Sequence, residues 1–262
     1  MDDSLRTAAS GMMAQQRMVD VIANNLANVN TTGFKRSRVN FEDVLYETIQ
    51  GERIVRQAGS ESTGPVQIGK GVRIAGVMRL DAQGAPESTQ RPLDVAIEGE
   101  GFLQVQRADG VTGYTRDGNL TVSESGTLVT SGGYPILPGV TVPRDATGIT
   151  IAPSGIVSVT AAGSTSAVEV GRIELARFLN PAGLLAVGEN QLLATESSGE
   201  PITGSPQQEG FGRLTQGALE SSNVEIVQEM TDMIAAQRAY EINAKAIKAG
   251  EDMMQVTNDI LR

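Results

Sequence analysis

Leu5, Met12, Val19 and Leu26 recur every seven residues near the start of the chain, and Ala8, Gln15, Ile22 and Val29 repeat that interval on a neighbouring line. Two lines three residues apart at this spacing form the a and d positions of one helical stripe, because a helix turns every 3.6 residues. The pattern predicts a helix over residues 4–29, roughly 39 Å long at about 1.5 Å per residue. Asp2, Asp3 or Ser4 stands where a cap is expected, and Gly33 follows where a left-handed residue ends such a run.

The other end of the chain repeats the design. Ile226, Met233, Tyr240, Ile247, Met254 and Leu261 are apolar positions in strict sevens. Ser222-Asn223-Val224-Glu225 before them has the form of a capping box. From Val224 to Leu261 there is no Pro and the only Gly is Gly250. A helix of about 35 residues, on the order of 55 Å, is predicted, far longer than the usual three or four turns.

Between the two the period falls to two. Leu93–Glu98, Phe102–Val105, Leu120–Val122 and Gly148–Ile151 read as short strands. Asp109-Gly110, Asp117-Gly118, Ser125-Gly126 and Gly132-Gly133 read as the turns between them. Strands this short and closely spaced predict an antiparallel sandwich or rolled sheet. Gln50–Gly71 and Ala194–Arg213, rich in Gly, Pro, Ser and Gln, read as linkers or as extended arms. The fold class expected is α+β. Residues 1–33 and 221–262 form a coiled-coil-like terminal domain, and residues 34–75 a connection with an extended arm at about 46–71. Residues 76–220 form a β-rich domain inserted between the helices.

An apolar stripe has to be covered. The two helices either pack on each other and on the sheet, or meet other copies of the chain. Two features favour assembly: the C-terminal helix is longer than a small β-domain covers, and both stripes are narrow and rich in Ala and Met. A head-to-tail contact of this kind builds a helical filament unless its rotation closes. The expected subunit interface comprises Leu5, Met12, Val19, Ile22 and Leu26 on the first helix and Ile226, Met233, Tyr240, Ile247, Met254 and Leu261 on the second. Asn24, Asn25 and Asn28, mediocre helix formers, stand either on a polar face near a frayed end or in interhelical or inter-subunit hydrogen bonds. The second reading is preferred, and Gln237 and Arg238 pose the same choice.

Composition narrows the function. Aromatic residues make up only 3% and Trp is absent, which is thin for a compact enzyme pocket. With no His, triads and His-ligated zinc are excluded, and with no Cys, so are disulfides and thiolate metal sites. The 31 acidic residues outnumber the 21 basic ones, a net charge of −10, which disfavours nucleic acid and anionic membrane surfaces as partners. No apolar run approaches the roughly 18 residues of a membrane span, and no basic region with an apolar core opens the chain. Export without a cleaved signal is the expectation if the chain leaves the cytoplasm. Asp94, Glu98, Glu100 and Asp117 are the carboxylates from which a glycosidase pair would be drawn. Ser125, Ser131 and Ser154 adjoin glycine without a nucleophile elbow, and Gly69-x-Gly71 and Gly99-x-Gly101 lack the third glycine of a dinucleotide loop. No catalytic residue, cofactor or metal is expected.

Several segments carry a resemblance. Ser10-Gly11-Met12-Met13-Ala14-Gln15-Gln16, then Ile22-Ala23-Asn24-Asn25-Leu26-Ala27-Asn28 through Thr32-Gly33-Phe34-Lys35, closely resembles the signature of the flagellar rod and hook family. Pro92–Ile97, Gly99–Phe102, Tyr114-Thr115-Arg116-Asp117-Gly118, Gly217 through Val224, and Met233–Glu241 follow in the family's order. Gln50 to Gly69 resembles, in place and approximate length, a short segment that sets one rod member apart from the hook protein and is implied to stiffen it. The resemblance implies a structural subunit of a helical homopolymer in the basal body. Terminal helices would pack as an inner tube around an export channel, with the β-domains outside. It also implies export through the flagellum's own apparatus, a place in the rod crossing the periplasm, and proximal rod proteins, hook protein and ring proteins as partners.

Overall fold

The computed structural model describes residues 2–50, 66–162, 166–208 and 210–260. Those residues divide into two compact units that interleave along the chain. Unit 1 takes residues 1–26, 37–78 and 225–262, and unit 2 takes residues 27–36 and 79–224. The expected α+β class is observed: one long helix near each end and antiparallel strands between.

In unit 1, helix α1 runs Asp2–Ala27. Strands β1 (Ser37–Asp43), β2 (Tyr46–Gln50), β3 (Val66–Gly69) and β4 (Val72–Arg79) follow, and helix α2 runs Ile226–Ile260. Strand β1 pairs with β4, and β2 pairs with β3. The β2–β3 ladder sets Tyr46 against Gly69 and Thr48 against Gln67. The two ends of the predicted arm at about 46–71 are thus hydrogen-bonded to each other, and its middle, residues 51–65, lies outside the described residues. Ser10 Oγ accepts from the Val72 amide at 3.3 Å, and a Cβ on Gly71 would collide with that hydroxyl. The turn between β3 and β4 therefore needs its glycine to lie this close to α1.

Unit 2 is built from strands β5 (Pro86–Ser88), β6 (Val95–Glu98), β7 (Phe102–Gln106), β8 (Thr112–Thr115), β9 (Leu120–Val122), β10 (Leu128–Thr130), β11 (Ala146–Ile151), β12 (Ile156–Ala161), β13 (Ala167–Arg172), β14 (Leu175–Arg177), β15 (Leu185–Gly188), β16 (Gln191–Leu193), β17 (Ile202–Gly204), β18 (Arg213–Gln216) and β19 (Ala218–Glu220). Its largest sheet has the order β15-β16-β8-β7-β14-β17, and β11-β12-β13 form a three-stranded sheet. The principal core holds Val95, Ile97, Leu103, Val105, Leu120, Leu128, Ile136, Val157, Ile173, Leu175 and Leu214. A smaller aromatic cluster joins Phe102, Tyr114 and Phe178, with the Tyr114 and Phe178 rings edge-on at 4.7 Å. The segment 194–213 is not only a connection: its β17 pairs with β14 and closes one edge of the large sheet.

Two local expectations are corrected. Asp117-Gly118 does not turn. The chain stays extended there, Val95 donates its amide to the Gly118 carbonyl at 3.0 Å, and a Cβ on Gly118 would fall on the Val95 carbonyl. Close backbone approach, not reversal, calls for that glycine. The predicted capping box is also replaced. Ser222 Oγ accepts from the Val224 amide at 3.3 Å, and Asn223 is used elsewhere, donating to the Leu80 and Ala82 carbonyls and accepting from the Arg36 amide.

Candidate assembly interface

Within unit 1 the two helices lie antiparallel, and three contacts fix their register. Asn25 Nδ2 donates to Glu229 Oε2 at 3.1 Å. A Cβ on Gly11 would lie 2.9 Å from Asn243 Nδ2, and one on Gly250 would lie 2.8 Å from Leu5 Cδ2. As the first helix steps back towards its start, the second steps forward towards its end.

On α2 the line turned inward is Glu229, Ala236, Asn243 and Gly250. Its members are seven residues apart, and all but the half-buried Asn243 are buried. This is the d line, three residues on from the predicted a line. The predicted positions flank it: Met233 and Ile247 are half-buried, and Ile226, Tyr240 and Met254 are exposed. On α1, Ala14, Ile22 and Asn25 are buried, with Gly11 and Met18 half-buried beside them. Leu5, Met12, Val19 and Leu26 are half-buried, one helical position round from that face. Gln237, Arg238 and Asn24 are exposed, and Leu261 lies outside the described residues.

The asparagines separate into different roles. Asn25 accepts from the Ser37 amide at 2.9 Å through Oδ1 and donates to the Ser37 carbonyl at 2.8 Å through Nδ2, while also reaching Glu229. One side chain thus ties α1 to the start of β1 and to α2. Asn28 accepts from Thr31 Oγ1 at 3.1 Å, closing the turn after the helix. Sequence reasoning missed Glu229. Its signal was a charged residue on an otherwise small d line, the position at which one buried polar group can fix helix register.

Unit 2 holds a second junction, where three of the quoted motifs converge. Glu220 is buried and takes an ion pair from Lys35 Nζ on one oxygen and from Arg116 Nη1, at 3.0 Å, on the other. The Gly84 amide donates to the same carboxylate at 2.9 Å. Lys35 Nζ also donates to the Ala82 carbonyl at 2.8 Å, and Arg116 Nη2 to the Gly99 carbonyl at 2.8 Å. The Arg116 guanidinium lies 5.3 Å from the centre of the Phe102 ring. The Gly33 amide donates to the Glu220 backbone carbonyl at 2.8 Å, and Thr32 Oγ1 to Asp117 Oδ1 at 2.8 Å. Burial pushes the Lys35 ammonium below its ordinary pKa, and the hydrogen bond it donates to Glu220 opposes that shift. Residues from Thr32-Gly33-Phe34-Lys35, from Arg116-Asp117 and from Leu219-Glu220 are thereby locked together.

The carboxylates singled out above are each engaged separately. Glu98 accepts from Thr215 Oγ1 at 2.8 Å and from Arg213 Nε at 2.8 Å. The Thr215 hydrogen bond first, and Arg213 after it, hold its carboxyl below the usual range. Asp117 accepts from Thr32, from the Asn119 amide at 3.1 Å and from Asn190 Nδ2 at 3.3 Å. Buried Asp94 lies 3.5 Å from Arg91, and exposed Glu100 lies 3.7 Å from Arg177. Glu100 lines a cleft of about 350 Å³ with Phe102, Arg116, Arg177 and Phe178, whose charges are held in ion pairs with protein partners. Among the described residues, no group of three or more acidic side chains is placed to hold a metal ion.

Known proteins resemble this chain along most of its length. Residues 5–35 match the family model described as flagella basal body rod protein. Residues 96–159 match the flagellar hook protein FlgE/F/G D1 domain, and residues 215–260 the flagellar basal body rod FlgEFG protein C-terminal model. The first and third matches contain Asn25 and Glu229. The flagellar basal-body rod protein FlgG of Caulobacter vibrioides is 48% identical over 98% of both chains. That of Borreliella burgdorferi is 49% identical over 99% of this chain and 98% of its own, and that of Bacillus subtilis 39% identical over 96% of each. The flagellar basal-body rod protein FlgF of Caulobacter vibrioides is 37% identical over 94% of this chain. With similarity of that extent, and with the matched segments supplying the helix pair and much of unit 2, the chain belongs to the family of flagellar basal-body rod proteins.

Proposed function

We propose that the chain is the structural subunit of the distal rod, polymerising through its terminal helices into a rigid hollow shaft that transmits torque and encloses the export channel. The observation that carries this reading is that α2 has more apolar surface than α1 covers. Beside the buried d line, Ile226, Tyr240 and Met254 remain exposed, and a 35-residue helix needs that surface buried by neighbours. Coiled-coil packing between copies supplies the cover, with Leu5, Met12, Val19, Leu26, Ile226, Met233, Tyr240, Ile247, Met254 and Leu261 in the contact. Exposed Asn24, Gln237 and Arg238 supply polar contacts at its margin. Asn25 and Ile22, buried within the chain, support it from behind. Proximal rod proteins, hook protein and the surrounding ring proteins are the neighbours, and the subunit reaches the rod without a cleaved signal.

The FlgF relative keeps a second reading in view, that of another axial subunit. Electron microscopy of basal bodies from a strain lacking the gene distinguishes the two. Short rods without hooks are expected for the distal rod subunit. Complete rods lacking only the hook would move the assignment along the axis, and intact flagella would end the axial reading.

A further inference from the structure

The segment Ala27–Arg36 belongs to unit 2, although the rest of α1 before it and β1 after it belong to unit 1. The bonds that fasten it are polar. Gly33 donates its amide to the Glu220 carbonyl, and Thr32 its hydroxyl to Asp117. Lys35 gives its ammonium to the Glu220 carboxylate and the Ala82 carbonyl. Arg36 donates its amide to Asn223 Oδ1 at 2.7 Å and accepts from the Leu80 amide at 2.8 Å. Among the described residues, neither apolar cluster of unit 2 includes a residue of this segment.

The side chains that receive the segment do not depend on it. Without Lys35, Glu220 keeps Arg116 at 3.0 Å and the Gly84 amide at 2.9 Å. Without Thr32, Asp117 keeps the Asn119 amide and Asn190. Without Arg36, Asn223 keeps the Leu80 and Ala82 carbonyls, each at 2.9 Å. Lys35 itself would return to water, so its departure strands no buried charge, which is the usual reason that breaking a buried ion pair is costly. The segment also carries its own turns, from the Thr31 amide to the Asn28 carbonyl at 3.1 Å and from the Phe34 amide to the Thr31 carbonyl at 3.3 Å.

We propose that residues 28–36 are a strap that opens and closes on unit 2 as one piece, with Lys35 as its latch, while the apolar core of that unit stays shut. Opening breaks polar contacts and leaves the apolar clusters intact, so it needs far less free energy than global unfolding. Closed, the strap fixes the chain between α1 and β1. Open, it leaves the two joined by a slack length of chain. Gly33 governs the seating. Its φ is +67°, and a Cβ there would lie 2.8 Å from the Arg116 carbonyl carbon and 2.9 Å from the Asp117 nitrogen. Glycine lets the strap backbone lie directly against Arg116-Asp117. The strap is a property of the single chain and does not depend on the rod reading.

Lys35, Lys70, Lys245 and Lys248 are the lysines of the chain, and the last two are exposed on α2. A pulse of an amine-acetylating reagent on the full-length chain, followed by digestion and mass spectrometry, therefore reads the latch. Lys35 is expected to react at least roughly tenfold more slowly than Lys245 and Lys248, since each hydrogen bond that must open first is worth about that factor. Its rate is expected to stay level in low urea, because opening exposes little surface. The β7 amides of Leu103 and Val105, followed by hydrogen exchange in the same buffers, are expected to open far less often and to respond steeply to urea. Lys35 reacting as fast as Lys245 would mean that there is no latch. Lys35 reactivity that tracks the β7 amides through urea would mean that the segment leaves only with the core. Either result overturns the proposal. Gly33→Ala is expected to raise Lys35 reactivity roughly tenfold with β7 exchange unchanged, and Thr32→Val supplies the same comparison if that variant fails to fold. Unchanged Lys35 reactivity, or β7 amides that quicken in proportion, overturns the strap as well.

Discussion

Asn25 and Glu229, 204 residues apart in the chain, meet through a 3.1 Å hydrogen bond inside the helix pair. The same asparagine satisfies both backbone groups of Ser37. Replacing it with Ala removes three hydrogen bonds at a buried site and takes one donor from a buried carboxylate, at a cost of about 1–3 kcal/mol. Thermal unfolding followed by helical circular dichroism is expected to show the helices of Asn25→Ala melting earlier, with unit 2 unchanged by hydrogen exchange.

Glu220 stands between two cations, and the buried cluster makes its removal costly. Glu220→Ala leaves Lys35 and Arg116 facing each other out of water, which costs about 3–5 kcal/mol. Lys35→Met keeps the Arg116 pair and is expected to cost less. Urea denaturation of the two variants checks the order, and equal losses would mean that the cluster is not held by charge.

Acid should weaken unit 2 through Glu98. Its folded pKa lies below the unfolded value, because Thr215 and Arg213 favour the carboxylate. Its contribution is therefore present above about pH 4.5 and lost as pH falls through the folded pKa. Glu98→Gln is expected to flatten the loss of stability below pH 4.5 and to leave the profile above pH 6 unchanged in slope, measured by thermal melts across pH.

Gly118 is a steric requirement rather than a turn. Gly118→Ala drives a methyl into the Val95 carbonyl at a strand contact that cannot give way without opening the core. Severe loss of soluble folded protein is expected, measured by expression and limited proteolysis. Gly133→Ala, with nothing near its Cβ, suffers only from its positive φ of 84°.

Met233→Asp places a charge in the half-buried flank of the helix pair. Assembly into rods is expected to fail while unit 2 still folds, because the proposed contact would bury the rest of that side chain, and its charge, against a neighbour. Normal rod incorporation of this variant would remove Met233 from the interface.

Much of this was legible because period is a local property. The helices predicted over residues 4–29 and from Val224 onward are observed as Asp2–Ala27 and Ile226–Ile260. The strand around Phe102 is found as Phe102–Gln106. The buried line on α2 was not legible, because Glu229, Ala236, Asn243 and Gly250 look like a polar face by composition. Small side chains let two helices approach, so the tightest line is the least apolar one, and Ile226 and Tyr240 stand beside it. Position in sequence likewise concealed the Glu220 cluster. Lys35, Arg116 and Glu220 lie in three separate segments, and no local pattern pairs them before strand pairing brings them together.

The hydrogen bond from the Gly33 amide to the Glu220 carbonyl has a kinetic consequence. Bringing Asn25 to Glu229 in an unfolded chain means closing a loop of some 200 residues, an entropic cost of roughly 5 kcal/mol by the logarithmic law. Once unit 2 has formed, Gly33 and Glu220 are already joined, and only the few residues from each to its helix remain to be closed. The helices are then expected to zip from the Asn25 end towards Leu5 and Gly250 after the strands have formed, an order that pulse-labelled hydrogen exchange during refolding checks. The helix pair, which closes the longest loop in the chain, is thus expected to be the last part of the molecule to take shape.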